Sequence, residues 1–75
     1  MNVELKRCYS ENVLESMYDK HDGTFLCVLR FGSYIVGELE WEQGQSPNYY
    51  VLHDNYKYYF DDIKLIGILP DGEKL

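Results

Sequence analysis

The hydrophobic repeat of this chain changes period once, at Gly23, and that change constrains the fold more than any other feature. Before it, Val13, Leu14, Met17 and Tyr18 recur along one helical face, with Ser10 placed to cap and Lys20 and Gly23 as stop signals. This predicts a helix near 11–20, although Leu5, Tyr9, Val13 and Met17 form an i, i+4 row compatible with an earlier start. Glu11, Glu15 and Asp19 fall at i, i+4 and i+8 on the outer side, one above another. After Gly23 the period is two, the spacing of strands.

Thr24 to Phe31 (TFLCVLRF) reads as a strand, Gly32-Ser33 as a two-residue hairpin turn, and Tyr34 to Glu42 as the return strand. That turn sets Leu26 opposite Leu39, Val28 opposite Gly37 and Arg30 opposite Ile35. Leu26, Val28, Ile35, Leu39 and Trp41 then share one face. Phe25, Cys27, Leu29, Phe31, Tyr34 and Val36 share the other with Glu38 and Glu40. A loop at Gln43–Asn48 leads to strands at Tyr49–His53 and Tyr56–Phe60, joined at Asp54-Asn55, whose residue types tolerate the left-handed backbone of a tight turn. Asp61-Asp62 interrupts, and Ile63 to Leu69 is the last strand before Pro70-Asp71-Gly72. The expected fold is a single α+β domain over 1–75: one short N-terminal helix, then a four- to five-stranded antiparallel meander.

Charge narrows the partners. The net charge is −6, and no Lys or Arg occurs between Arg30 and Lys57. Direct nucleic-acid binding wants a basic footprint, and an anionic membrane surface wants the same. Neither partner is expected; a basic protein fits better. The N-terminus MNVELKRCYS lacks the apolar core of a signal peptide, so a reduced cytoplasmic setting is expected. Cys8 and Cys27 match no metal spacing; Cys27 reads as a small core residue, and a disulfide between the two stays open.

Catalytic chemistry finds little purchase. His21-Asp22 and His53-Asp54 lie where turns are expected, and turn chemistry accounts for both aspartates. Asp61-Asp62 would hold a hard cation poorly, because neighbouring carboxylates on an extended chain point apart. No phosphate-binding glycine loop or nucleophile elbow is present. No catalytic residue, metal or cofactor is assigned, and the expectation is a protein that is not an enzyme.

The segment YYVLHDNYKYYFDDIKLIGILP, Tyr49 to Pro70, carries two resemblances. Short strands with an acidic break before the last resemble small SH3-like barrels, including the Tudor group. That resemblance implies a meander curled into a barrel and an aromatic cage for cationic or methylated side chains, drawn from Trp41, Tyr49, Tyr58 or Tyr59. The Asp-Tyr-Gly segment of that group after the third strand is absent. The ending Ile63-Lys-Leu-Ile-Gly-Ile-Leu-Pro70 resembles uncharacterised small phage and prophage proteins, with Gly67-Ile68 in place of their aromatic-Met pair.

Two surfaces emerge as candidates for meeting a partner. In GELEWEQ, Glu38, Glu40 and Glu42 alternate beside the only tryptophan. Same-face neighbours on a strand lie about 6.6 Å apart, where two charges in water repel by only roughly 0.6 kcal/mol. A solvated strand face therefore explains the row, and regular carboxylates could equally stand in for phosphates. With Glu11, Glu15 and Asp19 they imply a small acidic inhibitor, of phage or mobile-element origin, occupying the basic nucleic-acid-binding surface of a host defence protein (anti-CRISPR or anti-restriction type). The alternative is an SH3-like or Tudor-like binding module or adaptor using exposed tyrosines, Tyr49 and Tyr58 foremost, with homodimerisation a second use of that surface. Tyr56, Tyr58 and Phe60 alternate on one face, and Tyr50 and Tyr59 pair on the other, as cross-strand stabilisers also would.

Overall fold

The computed structural model describes residues 3–21, 23–44 and 48–69. The turn expected at Asp22, the Gln45–Pro47 part of the loop and the Pro70-Asp71-Gly72 ending lie outside the described residues. The elements are β1 (Lys6–Arg7), α1 (Glu11–Lys20), β2 (Thr24–Leu29), β3 (Tyr34–Trp41), β4 (Tyr49–His53), β5 (Tyr56–Tyr58) and β6 (Ile63–Ile68). The strands form one antiparallel sheet of six in the order β1-β6-β2-β3-β4-β5. With α1 laid against β3 and β4, the fold is α+β. No helix among the described residues is long and apolar enough to cross a membrane.

The helix spans the expected residues but ends by other means. Ser10 sits at the N-cap position with extended backbone, yet its hydroxyl makes no capping bond; its carbonyl accepts from the Val13 amide at 3.1 Å. At the other end the His21 amide closes on the Met17 carbonyl, also at 3.1 Å, and His21 itself returns to extended backbone. Gly23 is not among the left-handed glycines, which among the described residues are Gly32 and Gly44. Leu14 and Met17 plug the helix onto the sheet.

The β2–β3 hairpin departs from the expected register. Leu26 pairs with Val36, not Leu39, and Phe25 stands opposite Gly37. The cause is the turn. The Leu29 carbonyl accepts from the Gly32 amide at 2.9 Å, and the Leu29 amide donates to Ser33 at 2.8 Å, with Gly32 at φ 100°. This is the three-residue loop that ends on a left-handed glycine, not a two-residue turn, so β2 stops at Leu29. Because side chains alternate, the odd shift turns β3 over relative to β2. Phe25, Cys27, Leu29, Ile35 and Leu39 are buried together, while Glu38 is exposed on the reverse face with Val36 and Tyr34. Glu38 and Glu40 therefore do not share the face of Phe25, Cys27 and Leu29.

The strand plan also differs from a meander. β2 to β5 do follow one another, and Asp54 (φ 55°) and Asn55 (φ 65°) form the expected tight turn. β6 then crosses back to pair with β2, and β1, which the sequence pattern did not reveal, adds to its far side. Ile63 and Ile66 are fully buried, and β6 has both of its edges paired, by β1 and by β2. The turn that sends β6 back is fastened to the hairpin loop: Arg30 donates its amide to the Asp62 carbonyl at 3.1 Å and its Nε to the Asp61 carbonyl. With β1 and β5 as free edges the sheet is open, which corrects the SH3-like barrel expectation.

Candidate functional site

The two acidic rows occupy opposite faces of the sheet. Glu38, Glu40 and Glu42 belong to the face away from α1, where Glu38 pairs with Leu52 and Glu40 with Tyr50 on β4. Glu42 is already engaged, since the Lys57 ammonium donates to its carboxylate at 3.0 Å and lies 4.9 Å over the Tyr50 ring. That hydrogen bond and charge hold the Lys57 pKa above its ordinary value. The row thus offers Glu38 exposed, Glu40 half-buried and Glu42 neutralised.

On the helix side the residues converge. Tyr49, at the start of β4, meets Tyr18 of α1 edge-on at 5.5 Å and Trp41 of β3 at 6.5 Å. Tyr18 and Trp41 are each 44% exposed, so the cluster presents two open aromatic faces. Glu15 and Asp19, both exposed, stand close enough that their charge, after desolvation, raises the Tyr49 phenol above its ordinary value. An aromatic floor beside two exposed carboxylates suits a Lys or Arg side chain, which gains from both ring quadrupole and charge.

Glu11, the third residue of the helix row, serves the fold. Its carboxylate accepts the backbone amides of Asn48 and Tyr49, the latter at 3.0 Å, and so fixes the entry to β4 beneath the cluster. Glu11→Ala is expected to cost about 1–3 kcal/mol, the cost of stranding amides that had a charged acceptor. Urea unfolding reads the loss, and faster hydrogen exchange at the Tyr49 amide localises it. Glu11→Gln, which keeps an acceptor oxygen, should recover most of it.

The chain matches no known family model, curated protein or solved structure.

Tyr58 is not freely offered: it packs against the core, 4.6 Å from Tyr56. Tyr50 and Tyr59 meet at 5.7 Å on the other face, as the alternation predicts. His53 directs Nδ1 to the Val36 carbonyl at 2.9 Å, and Asp54 forms the turn beside it. His21 packs edge-on to Phe25 at 5.3 Å. Among the described residues His, Cys, Asp and Glu nowhere gather in threes fit to hold a metal ion. Cys8 and Cys27 are free thiols, both buried. Sequence reasoning placed Glu15, Asp19 and Tyr49 among the site residues and named Trp41 for a cage. It gave Tyr18 no such role, because at helical spacing with Val13, Leu14 and Met17 that ring reads as core.

Proposed function

We propose that this protein acts by binding a basic protein partner through the surface formed by Tyr18, Tyr49, Trp41, Glu15 and Asp19. The observation that carries the reading is the Tyr18–Tyr49–Trp41 cluster left half-open beside two exposed carboxylates. A net charge of −6 would steer a Lys/Arg-rich surface toward it. The reverse-face row is the weaker candidate, since Glu42 is spent on Lys57 and the rows cannot line one groove together. In its narrower form the partner is a nucleic-acid-handling protein whose basic groove the carboxylates fill, the role of a mobile-element inhibitor.

Trp41 is the chain's only tryptophan, so its fluorescence reports the site directly. Titration with a Lys/Arg-rich peptide should quench it saturably and more weakly as salt rises. Glu15→Gln with Asp19→Asn should weaken binding about tenfold, or ~1.4 kcal/mol, and Tyr18→Ala by a similar factor. Glu38→Gln with Glu40→Gln should leave affinity nearly unchanged. The reverse ranking would move the working surface to the other face. Competition by duplex DNA for a captured basic protein supports the narrower form, and simultaneous binding of DNA and this protein defeats it.

A further inference from the structure

Three of the chain's seven Lys and Arg residues gather in one place. Arg7 of β1, Arg30 of the hairpin loop and Lys64 of β6 line a single groove of about 440 Å³, together with Cys8, Tyr9 and Leu65. They are remote in sequence. The pairing of β1 with β6 brings Arg7 beside Leu65, and the Cys8 amide bonds the Lys64 carbonyl at 2.9 Å. The fastening of Arg30 to the 61–62 turn completes the set. That fastening uses only Nε, so the terminal guanidinium nitrogens are left to donate from a pre-set position. In a chain with 13 acids, no carboxylate forms a salt bridge with any of the three among the described residues. Three like charges around one concavity repel one another until an anion enters.

We propose that this groove is a phosphate site for a mononucleotide-class ligand. Two guanidinium groups and an ammonium match a phosphoryl group, which takes paired N–H donors from arginine and a point charge from lysine. The volume falls within the range of small-ligand clefts. Tyr9, 73% exposed on the lining, supplies a ring on which a planar base can stack. The groove's residues lie on β1, the link from β1 to α1, β6 and the hairpin loop, and none belongs to the aromatic–acidic surface.

The test is a titration of the ¹⁵N-labelled protein with inorganic phosphate, pyrophosphate, ADP and adenosine, followed by amide and side-chain shifts. ADP should bind saturably in the millimolar range or tighter, shifting Arg7, Tyr9, Arg30 and Lys64; pyrophosphate should do so more weakly and adenosine not at all. Arg7→Gln and Lys64→Gln, which leave the Arg30 fastening intact, should each weaken ADP about tenfold, or ~1.4 kcal/mol. Tyr9→Ala should weaken ADP but not pyrophosphate. No saturable shift with any phosphate probe overturns the site. So do shifts that persist in both cation variants. Equal affinity for ADP and pyrophosphate overturns the base-stacking assignment. A single-stranded oligonucleotide that binds far tighter than ADP overturns the mononucleotide class in favour of a nucleic-acid surface.

Discussion

Gly37→Val should lower the stability of this protein by about 3 kcal/mol, the upper end of what overpacking a filled interior costs. A Cβ at position 37 would lie 2.3 Å from the Leu52 carbonyl oxygen and 3.0 Å from Val51 Cγ1. The nearer atom is backbone of β4, which cannot swing aside as a side chain could; relief requires spreading the β3–β4 pair. That pair holds the Trp41–Tyr49 contact and carries Val51, which is fully buried. Phe25 stands opposite on β2 and is buried, so yielding in that direction is blocked as well. A domain of this length has roughly 4–11 kcal/mol in total, so a substantial unfolded fraction in mild urea is expected. Val36→Thr, one residue away on the exposed face, is the control and should cost less than 1 kcal/mol. If both variants share a urea midpoint, β3 and β4 are not as close as described.

The second large effect is alkaline. Burial pushes the Cys27 thiol up to about 12, helped by the neighbouring Cys8, and pushes Cys8 up to about 11 despite the opposing charge of Arg30. The ordinary value is 9.0 for both. Above pH 9 the unfolded chain therefore releases two protons that the folded chain retains. The unfolded state then binds fewer protons, and stability falls as pH rises. The thiol contribution is fully present below pH 9 and is lost progressively through the folded values. By pH 10 the two thiols together should remove about 2–3 kcal/mol. Urea midpoints measured from pH 7 to pH 10 check this, with the Cys8→Ala/Cys27→Ala double variant as comparison. The variant should start lower, because it loses packing, and fall less steeply. Parallel slopes would show that the thiols are not the source.

Local rules carried far along this chain. The helix from Glu11 to Lys20 follows from its apolar spacing, and the limits of β4 and the Asp54-Asn55 turn follow from alternation and residues that accept positive φ. The Asp61-Asp62 break also lies at a turn, where the Asp62 amide bonds the Tyr59 carbonyl at 2.9 Å. The burial of Cys27 was legible too, as a small residue inside an apolar run. β1 was not legible, because two charged residues joined to a single neighbour show no hydrophobic period.

By itself, then, the sequence determined where the helix lies and, β1 apart, which stretches are extended, since each depends on neighbours within a few residues. Register, strand order and the grouping of charges were decided only by tertiary structure. Gly32 could serve a two-residue or a three-residue loop, and the loop adopted sets which residues of β3 face the core. Glu15 and Asp19 became neighbours of Tyr49 only when α1 crossed β4, and Glu38 and Glu40 were sent to the reverse face by the same register. Arg7, Arg30 and Lys64 met only because β6 crossed back to lie between β1 and β2, with the turn before it fastened to Arg30. Period-two alternation is the same whichever strand lies alongside, so it cannot encode the neighbour; the closing of the core does.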